Sequence, residues 1–164
     1  TDYIDQIVSN LEYNVKINSN LDYGADDDIV EREREFKNNV AKTTVALLDW
    51  DKVDEIDPEE DPVKPADIIL GTELTYSLLS IDGLVKTLCK YLKPNGVFYE
   101  VLSADRDGVT VFVAKIKEKG FEVYDHPVPP ELLAYWNIFK TGQREETYHI
   151  LSCKRPNCPY PDTM

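Results

Sequence analysis

An acid and a phenol stand three positions apart at Glu73 and Tyr76, just after the apolar run Ile68-Ile69-Leu70 and the break at Gly71. A carboxylate can attract and orient a cation, and a phenol beside it can fix the angle of approach. Two further places show an acid closing an apolar stretch: Asp2, and Asp49 followed by Trp50. An acid at the end of an early strand can accept both hydroxyls of a ribose. An indole offers a flat apolar face to a purine. From its spacing alone, Glu73-x-x-Tyr76 reads more readily as a solvated turn after a core strand. The convergence of all three places on the carboxyl rim of one parallel sheet favours chemistry instead. It suggests a nucleoside-containing cofactor along the rim, with Glu73 and Tyr76 facing a second substrate.

The elements that must position these residues follow from periodicity. Ile68 to Leu70, in the stretch opening at Ala66-Asp67, is a short continuous apolar run bounded by turn signals, the pattern of a strand buried on both faces. Thr1-Asp2-Tyr3 reads as the tail of a strand. Ile4, Ile7, Val8, Leu11 and Val15 share one helical face, and Asn18-Ser19-Asn20 ends that helix. Residues 21–30 read as an acidic loop and 31–39 as a charged, solvated helix. Thr43 to Leu48 is β-branched and apolar, the pattern of a strand ending at Asp49-Trp50. Residues 51–65 form an acidic, proline-containing connection, expected to be solvated. A helix from about Leu78 to Leu92 buries Ile81, Leu84, Val85, Leu88 and Leu92, and Pro94-Asn95-Gly96 stops it. Val97 to Leu102 is the next strand. Val109, Phe112, Val113 and Ile116 give a further helix, closed by Gly120. Phe121 to Tyr124 is a short strand, His126 to Pro130 a turn, 132–139 a short helix or covering loop, and Thr147 to Cys153 a last strand. Strands alternating with helices predict an α/β sandwich with a mostly parallel sheet, the last two strands pairing antiparallel at its edge.

Composition narrows the function. With 164 residues the chain fits one domain. No apolar stretch is long enough to span a membrane. A net charge of -13 disfavours a nucleic-acid backbone and suits a basic partner. No two glycines lie within two residues of each other, so no dinucleotide-binding or phosphate-binding loop is present. The odd count of three cysteines, Cys89, Cys153 and Cys158, lacks metal spacing and predicts reduced thiols in the cytoplasm or nucleus, with no metal site. His149 reads as structural.

In order and spacing, Thr1-Asp2-Tyr3, Leu48-Asp49-Trp50 and Asp67-Ile68-Ile69-Leu70-Gly71-Thr72-Glu73-x-x-Tyr76 resemble methyltransferase family 16. This is the lysine-methyltransferase group of the seven-β-strand enzymes that use S-adenosyl-L-methionine. Lys93-Pro94-Asn95-Gly96 before an apolar strand is similar to a turn of the same enzymes. The resemblance implies a Rossmann-like sandwich over residues 1–153, followed by a proline-rich, frayed tail over 154–164. It implies that Asp2 binds the cofactor ribose, that Asp49-Trp50 lies by the adenine, and that Thr72 lines the cofactor pocket. Glu73 and Tyr76 then sit near the methyl acceptor, a lysine on a basic protein substrate. Such enzymes begin with an earlier strand and a glycine-rich turn. Neither occurs here, so the chain reads as the C-terminal portion of a longer enzyme with its first strand missing. The alternative is a methyltransferase-like interaction domain that has lost cofactor binding.

Overall fold

The computed structural model describes residues 5–20, 43–103, 106–129 and 148–157, in two units, Thr1–Asp49 and Trp50–Met164. The readings made for Thr1 to Ile4, 21–42, 132–139 and Cys158 lie outside the described residues.

In the first unit, helix α1 spans Asp5–Asn20 and ends where the Asn-Ser-Asn run predicts. Asp5 in its first turn complements the helix dipole. Thr43 to Leu48 does not form the expected strand. It holds a single bridge at Leu47 and is otherwise without regular structure. Strand propensity expresses fit to a pleated neighbour, and β-branched residues without a continuous ladder do not make a strand.

The second unit opens with a 3-10 helix, Trp50–Glu55, and contains strands β1 (Ala66–Thr72), β2 (Leu92–Ser103), β3 (Glu122–Pro127) and β4 (Tyr148–Lys154). Their order in the sheet is β1-β2-β4-β3. β1 and β2 are parallel, and β4 runs antiparallel to both β2 and β3, so three of the four strands share one direction. The antiparallel β3–β4 pair at the edge agrees with the sequence reading. The strand extends through His126 and Pro127, which the sequence places in a turn. His126 Nε2 lies 2.8 Å from Ser152 Oγ on β4. His149 Nδ1 lies 2.9 Å from Asp125 Oδ1.

Two helices connect the strands: α2 (Ile81–Tyr91) and α3 (Gly108–Glu118). A 3-10 turn, Leu78–Ser80, leads into α2, and Ser77 caps it by accepting from the Leu79 amide at 3.3 Å. The stripe Ile81, Leu84, Val85, Leu88 of α2 and Phe112, Ile116 of α3 closes on Phe98 and Leu102 of β2 and Leu151 and Cys153 of β4. Phe98 and Phe112 meet edge to face with ring centroids 6.0 Å apart. Each such side chain contributes about 1.5–3 kcal/mol by leaving water. Burial, with a smaller contribution from the Glu100 carboxyl, pushes the Cys153 thiol up to about 12.

Among the described residues only one face of the sheet is covered in this way. β1 lies at the end of the sheet order, and its Ile68 and Leu70 are 60% and 76% exposed. The expectation of burial on both faces is therefore corrected. Ile69 packs toward the core, while its neighbours point to the other face, as strand alternation requires.

The acidic connection also departs from a solvated loop. Val53 is buried against the second unit's interior, and Asp61 is only 7% exposed. Asp61 Oδ2 accepts from Tyr91 Oη at 2.8 Å, its Oδ1 accepts from the Val63 amide at 2.9 Å, and Lys90 Nζ stands 3.2 Å away. The chain beyond β4 is also held: the Arg155 amide donates to the Gly96 carbonyl at 2.9 Å, and Asn95 Nδ2 donates to Asn157 Oδ1 at 3.0 Å. The frayed tail is thus corrected for residues 154–157.

Candidate active site at the carboxyl end of β1

β1 ends at Thr72, which is exposed, and the chain turns sharply at Glu73. Glu73 has a φ of 55°, the left-handed region that few residues other than glycine adopt. Its amide still donates to the Val101 carbonyl on β2 at 2.9 Å, extending the ladder one rung past β1. Its carboxylate is fixed on the same strand, with Oε1 accepting from the Ser103 amide at 2.8 Å. Oε2 accepts from Arg106 Nε at 2.5 Å. The side chains of this ion pair are 31% (Glu73) and 45% (Arg106) exposed. A carboxylate offers about four acceptor positions, so two are left toward solvent. Tyr76 follows at the surface, 57% exposed.

The turn rests on a residue the sequence reading missed. Glu100 of β2 is fully buried, and its Oε1 accepts from the Leu74 amide at 2.8 Å and the Thr75 amide at 3.1 Å. Burial pushes its carboxyl up. The two amides and the Thr75 hydroxyl act the other way without cancelling the effect. Strand alternation could have found it. Phe98, Glu100 and Leu102 alternate along β2, which puts an acid on the core face between two apolar residues. The start of α3 supports the same turn. A Cβ on Gly108 would collide with the Thr75 carbonyl, so only glycine fits there.

Trp50 reaches the same end of the sheet. Its backbone and Cβ lie 3.1 Å from where a Cβ on Gly83 would stand, in the first turn of α2, and its half-buried side chain packs on the core. The structure therefore brings Trp50, Thr72, Glu73 and Tyr76 to the strand-end side of the second unit. Asp49 is the last residue of the first unit and does not close a strand. Asp2 lies outside the described residues. No cluster of three or more metal-ligating side chains occurs among the described residues.

The sequence matches the family model described as lysine methyltransferase over residues 1–119. No curated protein sequence matches. Among solved structures, an rRNA methylase from Streptococcus thermophilus is similar at 7% identity and a TM-score of 0.44, over 81% of this chain and 70% of that one. The DszA carbon methyltransferase is similar at 13% identity and a TM-score of 0.45, over 77% of this chain and 37% of that one.

Proposed function

Because this chain belongs to the lysine methyltransferase family, a group of S-adenosyl-L-methionine-dependent enzymes, we propose that it transfers methyl groups to a lysine amine of a protein. One observation carries the reading beyond the family. The Glu73 carboxylate, at the end of β1 and partly open to solvent, already holds a cationic nitrogen, that of Arg106 at 2.5 Å. A lysine ammonium has the same charge and reach.

S-adenosyl-L-methionine supplies, when bound, an electrophilic methyl group on a sulfonium. The residues present fit such a group. The half-buried Trp50 indole can face an adenine, and the exposed Thr72 leaves a small side chain at the strand end. We assign Asp2 and Asp49 to the ribose and adenine side on resemblance.

An acceptor lysine with a pKa near 10.4 must lose a proton, which costs roughly 4.6 kcal/mol at pH 7 at about 1.36 per unit. A carboxylate beside the amine favours its charged form. Glu73 therefore recognises and orients the incoming side chain, and Tyr76 bounds its approach. An exposed ion pair is worth about 0–1 kcal/mol, so an arriving ammonium can displace Arg106 at small cost. The net charge of -13 and the exposed acids Asp54, Asp57, Glu59 and Glu60 suit a basic protein partner. Cys89 and Cys153 as free thiols suit the cytoplasm.

The test uses tritiated S-adenosyl-L-methionine and arrays of single-lysine peptides, with matched arginine arrays as controls. Label should enter lysine peptides only. Glu73→Ala should lower kcat/KM roughly 100-fold, as loss of a charged hydrogen bond implies, while leaving the melting transition cooperative. Full activity in that variant would remove Glu73 from the site.

A further inference from the structure

We propose that Glu100 is a positioning residue for methyl transfer, clamping the Glu73–Tyr76 turn from inside the sheet so that both acceptor-facing side chains keep their places. The inference rests on the methyltransferase reading for its activity arm only.

A carboxyl in an apolar core is costly unless its hydrogen bonds are made. Glu100 sits between Phe98 and Leu102 on the covered face of β2, with no exposure. Its Oε1 meets the amides of Leu74 and Thr75, the two residues between Glu73 and Tyr76. Without that oxygen the buried Thr75 amide and the part-buried Leu74 amide would both lack this acceptor. Glu100, Val101 and Ser103 together hold the turn: the first takes two amides, the second takes the Glu73 amide, and the third donates to the Glu73 carboxylate. This stretch of β2 is thus a mould for a turn that contains a left-handed glutamate.

Glu100 is also more polar than structure alone asks. Its Oε2 and the Thr75 Oγ1 are both buried and have no hydrogen bond of normal geometry among the described residues. They lie near enough for the hydroxyl to favour the charged carboxyl. A side chain supplying one acceptor oxygen would satisfy both amides. This separates the clamp, which glutamine can reproduce, from the charge, which it cannot.

The experiment compares Glu100→Gln, Glu100→Asp and Glu100→Leu in the same methyl-transfer assay. In parallel, amide hydrogen exchange is read at Leu74 and Thr75, with Leu88 in α2 as the core reference. Glu100→Gln should stay within about three-fold of the parent in kcat, because the acceptor remains. Glu100→Leu should lose roughly 100-fold in kcat with little change in KM for S-adenosyl-L-methionine, as expected when reacting groups are misplaced by about an ångström. Its Leu74 and Thr75 amides should exchange at least about ten-fold faster while Leu88 does not change. Glu100→Asp, too short to reach both amides, covers the case in which the leucine variant fails to fold, and should fall about ten-fold in kcat. Parental kcat in the leucine or aspartate variant, or unchanged exchange at both amides, would overturn the clamp. A parent protein that methylates nothing, with exchange behaving as stated, would overturn the lysine reading and leave the clamp standing.

Discussion

Among the described residues of the second unit two carboxyls, Asp61 and Glu100, are buried, and they are held in opposite ways. Asp61, in the acidic connection, has a cation, a phenol and an amide around it. Burial raises its carboxyl, but the hydrogen bonds of Tyr91, Val63 and Lys90 and the Lys90 charge outweigh it and keep it below the ordinary value. Glu100 has two amides and no cation, and burial keeps it above the ordinary value. The first arrangement fastens a loop to α2 and is a structural device. The second fastens the turn that carries Glu73 and leaves an oxygen unpaired. A buried acid supplied with a cation stabilises the fold as an anion. One supplied with uncharged donors and no cation holds geometry and tolerates the loss of its charge.

The largest expected effect is on the first of the pair. Asp61→Ala strands the Tyr91 hydroxyl and the Val63 amide and should destabilise by about 2–3 kcal/mol, read by denaturant unfolding. Glu100→Gln should cause no such loss at neutral pH.

The next effect is a contrast in pH dependence. For Asp61 the folded carboxyl is lowered, so its contribution is present above the ordinary value of 3.8 and is lost as pH falls through the folded value. For Glu100 the folded carboxyl is raised, so its contribution is full below the ordinary value of 4.5 and is lost as pH rises. Glu73 and Cys153 are the titratable groups coupled to it. The melting temperature of Glu100→Gln should therefore gain on the parent between pH 5 and 8, roughly the range above the ordinary glutamate value. That of Asp61→Asn should trail the parent throughout that range. Parallel curves for the two variants would erase the distinction.

The smallest effect is a control. Lys86 and Asp54 form an exposed pair between α2 and the 3-10 helix, 2.5 Å apart. Lys86→Ala should leave the melting temperature within error, because exposed pairs are screened and their side chains stay mobile.

The contrast also marks what the sequence can disclose. Helices α2 and α3 were legible because their apolar residues recur at helical spacing; the stop of α2 was not, since it ends at Tyr91 and Pro94-Asn95-Gly96, read as its closing turn, lie inside β2. The antiparallel edge was legible from two strands with no helix pattern between them. Ile68-Ile69-Leu70 was misleading, because an apolar run says nothing of which face a helix covers. Thr43 to Leu48 misled because a strand needs a partner that propensity does not name. Asp61 sits in a run of like charges, and its partners Tyr91 and Lys90 are 30 and 29 positions on (91 less 61, 90 less 61). Of the candidate site, Glu73 and Tyr76 were readable from a short motif. Their support was not, because Glu100 lies 26 and 25 residues from the amides it holds.

The half-open sheet has a consequence for how this chain behaves in bulk. Ile68, Leu70, Tyr99, Val101 and Tyr124 leave an oily surface on the side away from α2 and α3. An extended apolar end strand is a template for other strands. What opposes such stickiness is mutual repulsion between molecules carrying a net charge of -13. That repulsion reaches about 10 Å in 0.1 M salt and about 3 Å in 1 M. It vanishes near the isoelectric point of about 4.5. Colloidal stability therefore depends on the same acidic excess that the proposed basic partner would meet, and concentrated salt and mild acid weaken it.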